Sequence, residues 1–354
     1  MAAKALVLAR WEWFKLRRRW MPWILLAIAL VFSQLAVWGP YFAYQQQKNN
    51  GPMLRSTMGL GAIGPDGKEV RYQFNCKQIL EGDTSALPPG AAPSMMEDFR
   101  ANCRQLATQY EQALEETKRN FTLPVSIPAA LAVAGSFSII LIAIMTSSLV
   151  GSDYGWGTLR TVLARGAGRS QYLAAKLALM AAGALGLMLM VALATMVSSS
   201  IAGAMAGAGG FAFFEMGFLK NLTLDIGRAW IALWPFIALS SLVAILARST
   251  VAGMAAAIGY YFAEIIASGI LLNVVDWFKN MADYMLVRNI SAWMQGMRLG
   301  GPREGVQVEV GVSFSQYPSE WHALLVLAAY TVALTVLAFW VFQRRDVAGS
   351  GGGG

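Results

Sequence analysis

The chain has 354 residues, 56% of them hydrophobic and only 14% charged, against roughly 25% charged in a soluble domain. Its net charge is +8, yet no basic-and-aromatic interleaving and no nucleic-acid module occurs, which argues against a nucleic-acid binder. The cations stand instead at the edges of apolar runs about 20 residues long, the length that spans a bilayer, where they set orientation and meet anionic headgroups.

Residues 1–20 read as an amphipathic interfacial helix. Ala5, Leu6, Ala9, Trp13, Leu16 and Trp20 share one stripe, with Lys4, Glu12, Lys15, Arg18 and Arg19 opposite, so the cations would face headgroups. A cleaved signal peptide fits less well, because no small-residue cleavage site follows the apolar core. The first span is 21–43. Trp23 and Tyr41 lie about 27 Å apart along it, at the places of two aromatic belts. Six cations precede it (Lys4, Arg10, Lys15, Arg17, Arg18 and Arg19), which predicts a cytoplasmic N-terminus.

Residues 45–123 form a polar insert, expected outside the cell. It holds a strand-like stretch at Val70–Phe74 and a helical pattern from Ser94 to about Arg119, with Ser94 and Glu97 as a capping box. Both cysteines, Cys76 and Cys103, fall in it without a CxxC neighbour, and His322 is remote, which argues against a metal site. An external position favours a Cys76–Cys103 disulfide. Two separate buried thiols are the alternative.

The second span is 124–150, followed by a polar turn at 151–170 and a third span at 171–202. Residues 203–227 are Gly-rich and amphipathic. The fourth span is 229–247, with Pro235 inside it. A tight turn at Arg248-Ser249 leads to the fifth span, 250–275. Residues 276–320 form a second external segment, with an interfacial helix near 276–296 and a strand near Val306–Phe314. The sixth span is 321–342, and residues 349–354 read as an appended linker. Six spans and the flanking arginines place both termini in the cytoplasm of a multi-pass plasma (inner) membrane protein. The fold class is all-α integral membrane: six transmembrane helices, an N-terminal interfacial helix and a small extracytoplasmic insert between spans 1 and 2.

Three groups of residues carry candidate function. In the 151–170 turn, Asp153 can cap a helix, and Leu159, Val162 and Leu163 form an apolar knob beside Arg160, suited to a groove on a partner. An ordinary membrane-surface turn is the competing reading. Glu264 is the one carboxylate well inside a span, about 21 Å along the helix from Thr250. Such a group usually faces protein or water. With Tyr261 and Ser268, next to Tyr260, it is a candidate for an export path; a structural pairing within the bundle is the alternative. Small residues such as Gly183 and Gly186, or Ala178 and Ala182, suggest close helix approach.

The run Asp153-Tyr154-Gly155-Trp156-Gly157-Thr158-Leu159-Arg160, followed by Arg169 and Lys176, resembles the coupling-helix region of type 2 ATP-binding-cassette (ABC) permeases. There an acidic residue precedes Gly-Thr-Leu-Arg, and a lysine opens the next span. Phe342-Gln343-Arg344-Arg345-Asp346-Val347 resembles the end of the same family. Asp153 replaces the more usual glutamate, and Gly166-Ala167-Gly168 stands where a Pro-containing turn is typical. The resemblance implies an exporter permease whose coupling residues are Asp153, Gly157, Thr158, Leu159, Arg160, Val162 and Leu163. It implies a pair of permeases, identical or not, served by two separate ATPase subunits. ATP and Mg would bind on those subunits, since this chain has no G-x-x-x-x-G-K-[ST] phosphate loop and reads as no enzyme by itself. The other class considered is a membrane-anchored sensor or non-transporting scaffold, with 45–123 as its ligand-binding part. Few midplane charges favour lipophilic or amphipathic cargo over small ions.

Overall fold

In lipid a backbone must satisfy its own polar groups, so long apolar runs become helices. The computed structural model describes residues 2–50, 55–63, 69–76, 80, 96–155, 159, 162, 168–208, 216–297, 299 and 317–344. In chain order the elements are α1 (Ala2–Arg17), α2 (Trp20–Asn50), β1 (Arg55–Ile63), β2 (Glu69–Asn75), α3 (Met96–Phe121), α4 (Ser126–Gly155), α5 (Arg169–Met205) and α6 (Met216–Ala247). They continue with α7 (Thr250–Val274), α8 (Asp276–Ala282), α9 (Leu286–Gln295) and α10 (Glu320–Arg344). Among the described residues six helices, α2, α4, α5, α6, α7 and α10, are long and apolar enough to cross a membrane. The chain is a multi-pass, α-helical membrane protein.

Two compact units form, Met1–Val37 with Thr122–Gly354, and Trp38–Phe121. In the first, α4 and α6 are the central helices. Two-thirds (67%) of the apolar window of each is buried, against 11% for α10. α4 lies against α5, α6 and α7, and α10 lies against α6. Small residues allow this: Ala130, Ala134 and Ala143 of α4, and Ala229 and Ala244 of α6, are buried in the contacts, where a short side chain lets backbones approach. Gly151 and Gly253 mark the tightest places. A Cβ on Gly151 would stand 2.7 Å from Thr250 Cα; one on Gly253 would stand 2.6 Å from Ser147 Oγ and 2.9 Å from Ser240 O. Between α6 and α7 the chain reverses at Arg248, which takes a positive φ of 52°. Ser249 then caps α7 by accepting from Ala252 N at 3.3 Å.

In the second unit, β1 and β2 pair antiparallel, with Arg55 opposite Asn75 and Met58 opposite Tyr72. Cys76 and Cys103 form a disulfide with Cα atoms 5.2 Å apart. Phe121 packs edge-on to Tyr41 and Tyr44, at 5.5 and 5.6 Å. Tyr110 Oη donates to Gln47 O at 2.7 Å, tying α3 to the end of α2.

Four expectations need correction. β1 was not expected, because Gly59 and Gly61 depress strand propensity; pairing with β2 overrides that. The fourth helix starts at Met216 rather than near 229, since Lys220, Asp225 and Arg228 disguise its first turns as polar. The segment near 276–296 is not one interfacial helix: it splits into α8 and α9, and every side chain from Leu286 to Met294 is buried. Gly183 and Gly186 do not serve close approach within this chain, because a Cβ on either would meet nothing within 4 Å. Ser94 and the expected strand at 306–314 lie outside the described residues.

The glycine contacts generate a paired test. Gly253→Ala forces a methyl against Ser147 and the Ser240 carbonyl, and should lower stability by about 1–3 kcal/mol, the usual range for overpacking. Gly259→Ala, on the same helix, enters open space and should be neutral or slightly stabilising. Thermal unfolding of the two variants in detergent reads the contrast; equal melting temperatures would refute the close contact.

Candidate functional site

Residues 156–167 are flanked by a buried cluster of charge. Asp153 stands in the last turn of α4, and Tyr172 and Lys176 in the first two turns of α5. Lys176, 1% exposed, forms an ion pair with Asp153 and also donates to Leu149 O. Tyr172 donates to the same carboxylate oxygen, Asp153 Oδ2. The ammonium also lies 4.8 Å from the Tyr172 ring centroid, an attractive position for a cation. A buried ammonium without these partners would be strongly unfavourable. The lysine therefore fixes where α4 ends relative to where α5 begins.

Neighbouring helices close around the cluster. Tyr172 stacks on Phe342 of α10, with ring centroids 6.1 Å apart. Arg169 Nη1 donates to Gln343 O at 2.9 Å, and Gln343 Nε2 donates to Ser170 Oγ at 2.9 Å. From α1, which packs on α5, Glu12 interacts electrostatically with both Lys176 and Tyr172. Glu12 also pairs with Lys15 at 3.0 Å. Its expected place on the headgroup side of α1 is thus corrected: the carboxylate is buried, because basic residues of α5 and α1 converge on it.

Leu159 also departs from expectation. It is 4% exposed and packs with Val150, Leu173, Leu242, Ile245 and Phe342, with half-buried Val162 beside it. Leu159 is therefore no free knob; it packs into its own bundle. Gly157, Thr158, Arg160 and Leu163 lie outside the described residues.

Glu264 lies 14 residues along α7 from Thr250, whose backbone meets Gly151 near the Asp153 end of α4. It is 3% exposed, and its job in the structure is a cap. Oε1 accepts from Arg288 N at 2.9 Å, and the carboxylate also meets the N–H groups of Leu286 and Val287. Those are the first N–H groups of α9, which no preceding carbonyl can satisfy, and a carboxylate there also complements the helix dipole. Tyr260 Oη accepts from Leu286 N at 3.4 Å, and Ser268 Oγ lies 4.0 Å from Met285 Sδ. Tyr260, Glu264 and Ser268 are spaced four apart on one face of α7 and meet the start of α9 over two helical turns. Tyr261 turns to α6 instead, edge-on to Phe236 at 6.1 Å. The three candidate pathway residues thus do not converge on one lumen: Glu264 and Ser268 face α9, and all three are buried.

The residues around α9 form a second set of ties that sequence reading missed. Arg228 of α6 donates to Glu320 Oε2 at 2.8 Å and to Trp293 O at 3.0 Å, and its guanidinium lies 4.4 Å over the Trp293 ring. Trp293 Nε1 donates back to Arg228 O at 3.1 Å. Buried Asp225 accepts from Leu299 N at 2.9 Å, and Arg288 pairs with Asp283 at 3.0 Å. The available signal was an Asp and an Arg three residues apart just before the apolar run of α6. Their partners lie 74 and 92 residues away. Among the described residues no group of three or more His, Cys, Asp or Glu side chains comes together to hold a metal ion.

Two predictions follow from these geometries. Asp153→Asn or Lys176→Met alone strands the other partner in the bundle, and each should lower stability by about 3–5 kcal/mol. The double variant should recover a large part of that loss, and a double-mutant cycle on thermal unfolding in detergent measures the coupling; additive losses would remove the pair's structural role. Glu264→Gln keeps an acceptor but not the charge and should cost about 1 kcal/mol, whereas Glu264→Leu leaves helix N–H groups bare and should cost about 2–3 kcal/mol. Faster amide hydrogen exchange confined to residues 286–289 would report the lost cap.

Neither curated proteins nor solved structures give a match to this chain. Residues 106–348 match the model of a family described as a protein of unknown function, DUF2705. The match takes in all of α4 to α10, with both the Asp153–Lys176 cluster and the Glu264 cap. The chain therefore belongs to the DUF2705 family.

Proposed function

We propose that this chain is the membrane-spanning subunit of an ATP-driven ABC exporter, working with separate ATPase subunits. The observation that carries the reading is the Asp153–Lys176–Tyr172 cluster at the base of the 156–167 turn, together with the Gly-Thr-Leu-Arg run inside that turn. A segment that receives force must be tied to what it moves. Here Leu159 anchors the turn in the apolar cluster, and Asp153, Tyr172 and Arg169 join its two flanks to each other and to α10. A push on the turn would therefore displace α4, α5 and α10 together rather than bend a loose loop.

In this reading the termini and the turn face the cytoplasm of the plasma (inner) membrane, and the unit Trp38–Phe121 lies outside, which suits its disulfide. Two such chains would pair over two ATPase subunits. Each turn, with Asp153 at its root and Gly157, Thr158, Arg160, Val162 and Leu163 along it, would rest on one ATPase. ATP and Mg would be bound by the ATPase subunits, whose closure would drive the turn. Glu264 enters as the group that holds α9 in the outer half of the bundle, next to the path.

Co-expression with a tagged candidate ATPase tests this reading. A stable complex that hydrolyses ATP is expected, and Arg160→Glu should reduce co-purification about tenfold or more, as charge reversal at a docking contact does. Arg160→Glu that assembles and hydrolyses ATP like the parent would overturn the coupling role.

A further inference from the structure

An apolar groove of about 700 Å³ lies between α1 and α2 on one side and α4 and α5 on the other. That volume is within the range of small-molecule sites. Its floor is Leu16, Leu141, Ile142 and Met180, all buried. Its mouth carries half-exposed Trp13 and Trp23 and, as the one charged side chain in the lining, Arg17. The groove exists because α5 presents Ala182, Gly183 and Gly186 where larger side chains would fill the space. A Cβ on Gly183 or Gly186 would meet nothing within 4 Å.

The lining dictates the occupant. Close packing is the rule inside proteins, and an apolar cleft of this size offers water almost no hydrogen-bond partner. In a bilayer it fills with hydrocarbon. At its mouth stand two interfacial tryptophans, the residue type that marks headgroup level. Arg17 is exposed and makes no ion pair among the described residues, whereas Lys15 is engaged by Glu12. Residues 10–19 carry five cations and one acid. The mouth is thus built for a molecule with an apolar tail and an anionic head, and a planar guanidinium suits a phosphate in particular.

We propose that this groove is a binding site for an anionic phospholipid of the leaflet on which α1 lies, with one acyl chain between α2 and α5 and the headgroup phosphate on Arg17. The bound lipid completes the packing of α1 and α2 against α4 and α5, beside the Glu12 contact to the Lys176 cluster. This proposal needs only a membrane and is independent of transport.

The test is lipid retention by the intact protein, reconstituted in vesicles of mixed phosphatidylcholine and phosphatidylglycerol, extracted in mild detergent and weighed by native mass spectrometry. The parent chain should keep a single phosphatidylglycerol in preference to phosphatidylcholine. Arg17→Glu should weaken that preference roughly tenfold, the size of one charge-assisted contact, without changing the melting temperature measured without lipid. Gly186→Leu fills the groove and should lose both lipids while remaining as thermostable as the parent; Gly183→Leu is the second filling variant if the first does not fold. Equal retention of the two headgroups by the parent would overturn the proposal. So would undiminished phosphatidylglycerol on the filled variants, or a non-phospholipid compound co-purifying in its place.

Discussion

The buried Lys176–Asp153 pair is the constraint on which the membrane unit turns. An ammonium 1% exposed within an apolar bundle cannot stay there alone, so the helices carrying its partners are obliged to meet. Asp153 brings the end of α4, and the Leu149 carbonyl adds a second acceptor on the same helix. Tyr172 shares the carboxylate and, through Phe342, brings in α10. Glu12 brings in α1. One charge thus organises four helices at one end of the bundle, and the hydrophobic cluster around Leu159 excludes water from it. Apolar packing alone, between helices whose outer surfaces are as apolar as their inner ones, would not define this register.

The far end is organised by the same logic with the sign reversed. There a carboxylate, Glu264, is buried, and its partners are the orphan N–H groups of α9. Helix α9 is polar enough to read as surface, with Arg288, Asn289 and Ser291 within it. It enters the bundle because each polar side chain finds at least one partner: Asn289 Nδ2 donates to Asp283 O and Met285 O at 2.8 and 2.7 Å, Ser291 donates to Val287 O, and Arg288 pairs with Asp283. Arg228 then closes the lid by holding Trp293 and Glu320 at once. Both ends of the bundle are therefore specified by polar groups that were too few to alter the hydropathy profile.

This explains what could and could not be read from the chain. The six spans were legible, because their signal is local and about 20 residues long. The turn at Arg248-Ser249 and the helix start beside Trp321 stand where an arginine, a serine cap and an aromatic mark them, whereas α2 runs past the Tyr41 belt to Asn50. The Cys76–Cys103 pairing was legible because only two cysteines exist. The start of α6 was not, since Asp225 and Arg228 have partners that only the fold supplies. The burial of α9 and Glu12 was hidden for the same reason: a polar residue at an interface and a polar residue with a distant buried partner have the same local sequence. Lys176 was visible as a lysine opening a span, yet Tyr172 was not visible as its companion.

The position of Leu159 bears on how force could pass through the turn. A free apolar knob would give a partner a strong grip but would leave the grip loosely joined to the membrane helices. A side chain buried in the cluster of Leu173, Leu242 and Phe342 does the reverse, since it joins position 159 to the bundle. Densely packed interiors transmit displacement because they compress little. The Asp153–Lys176 pair, the stacked Tyr172–Phe342 rings and the Arg169 bond to Gln343 tie the two flanks of residues 156–167 to each other and to α10.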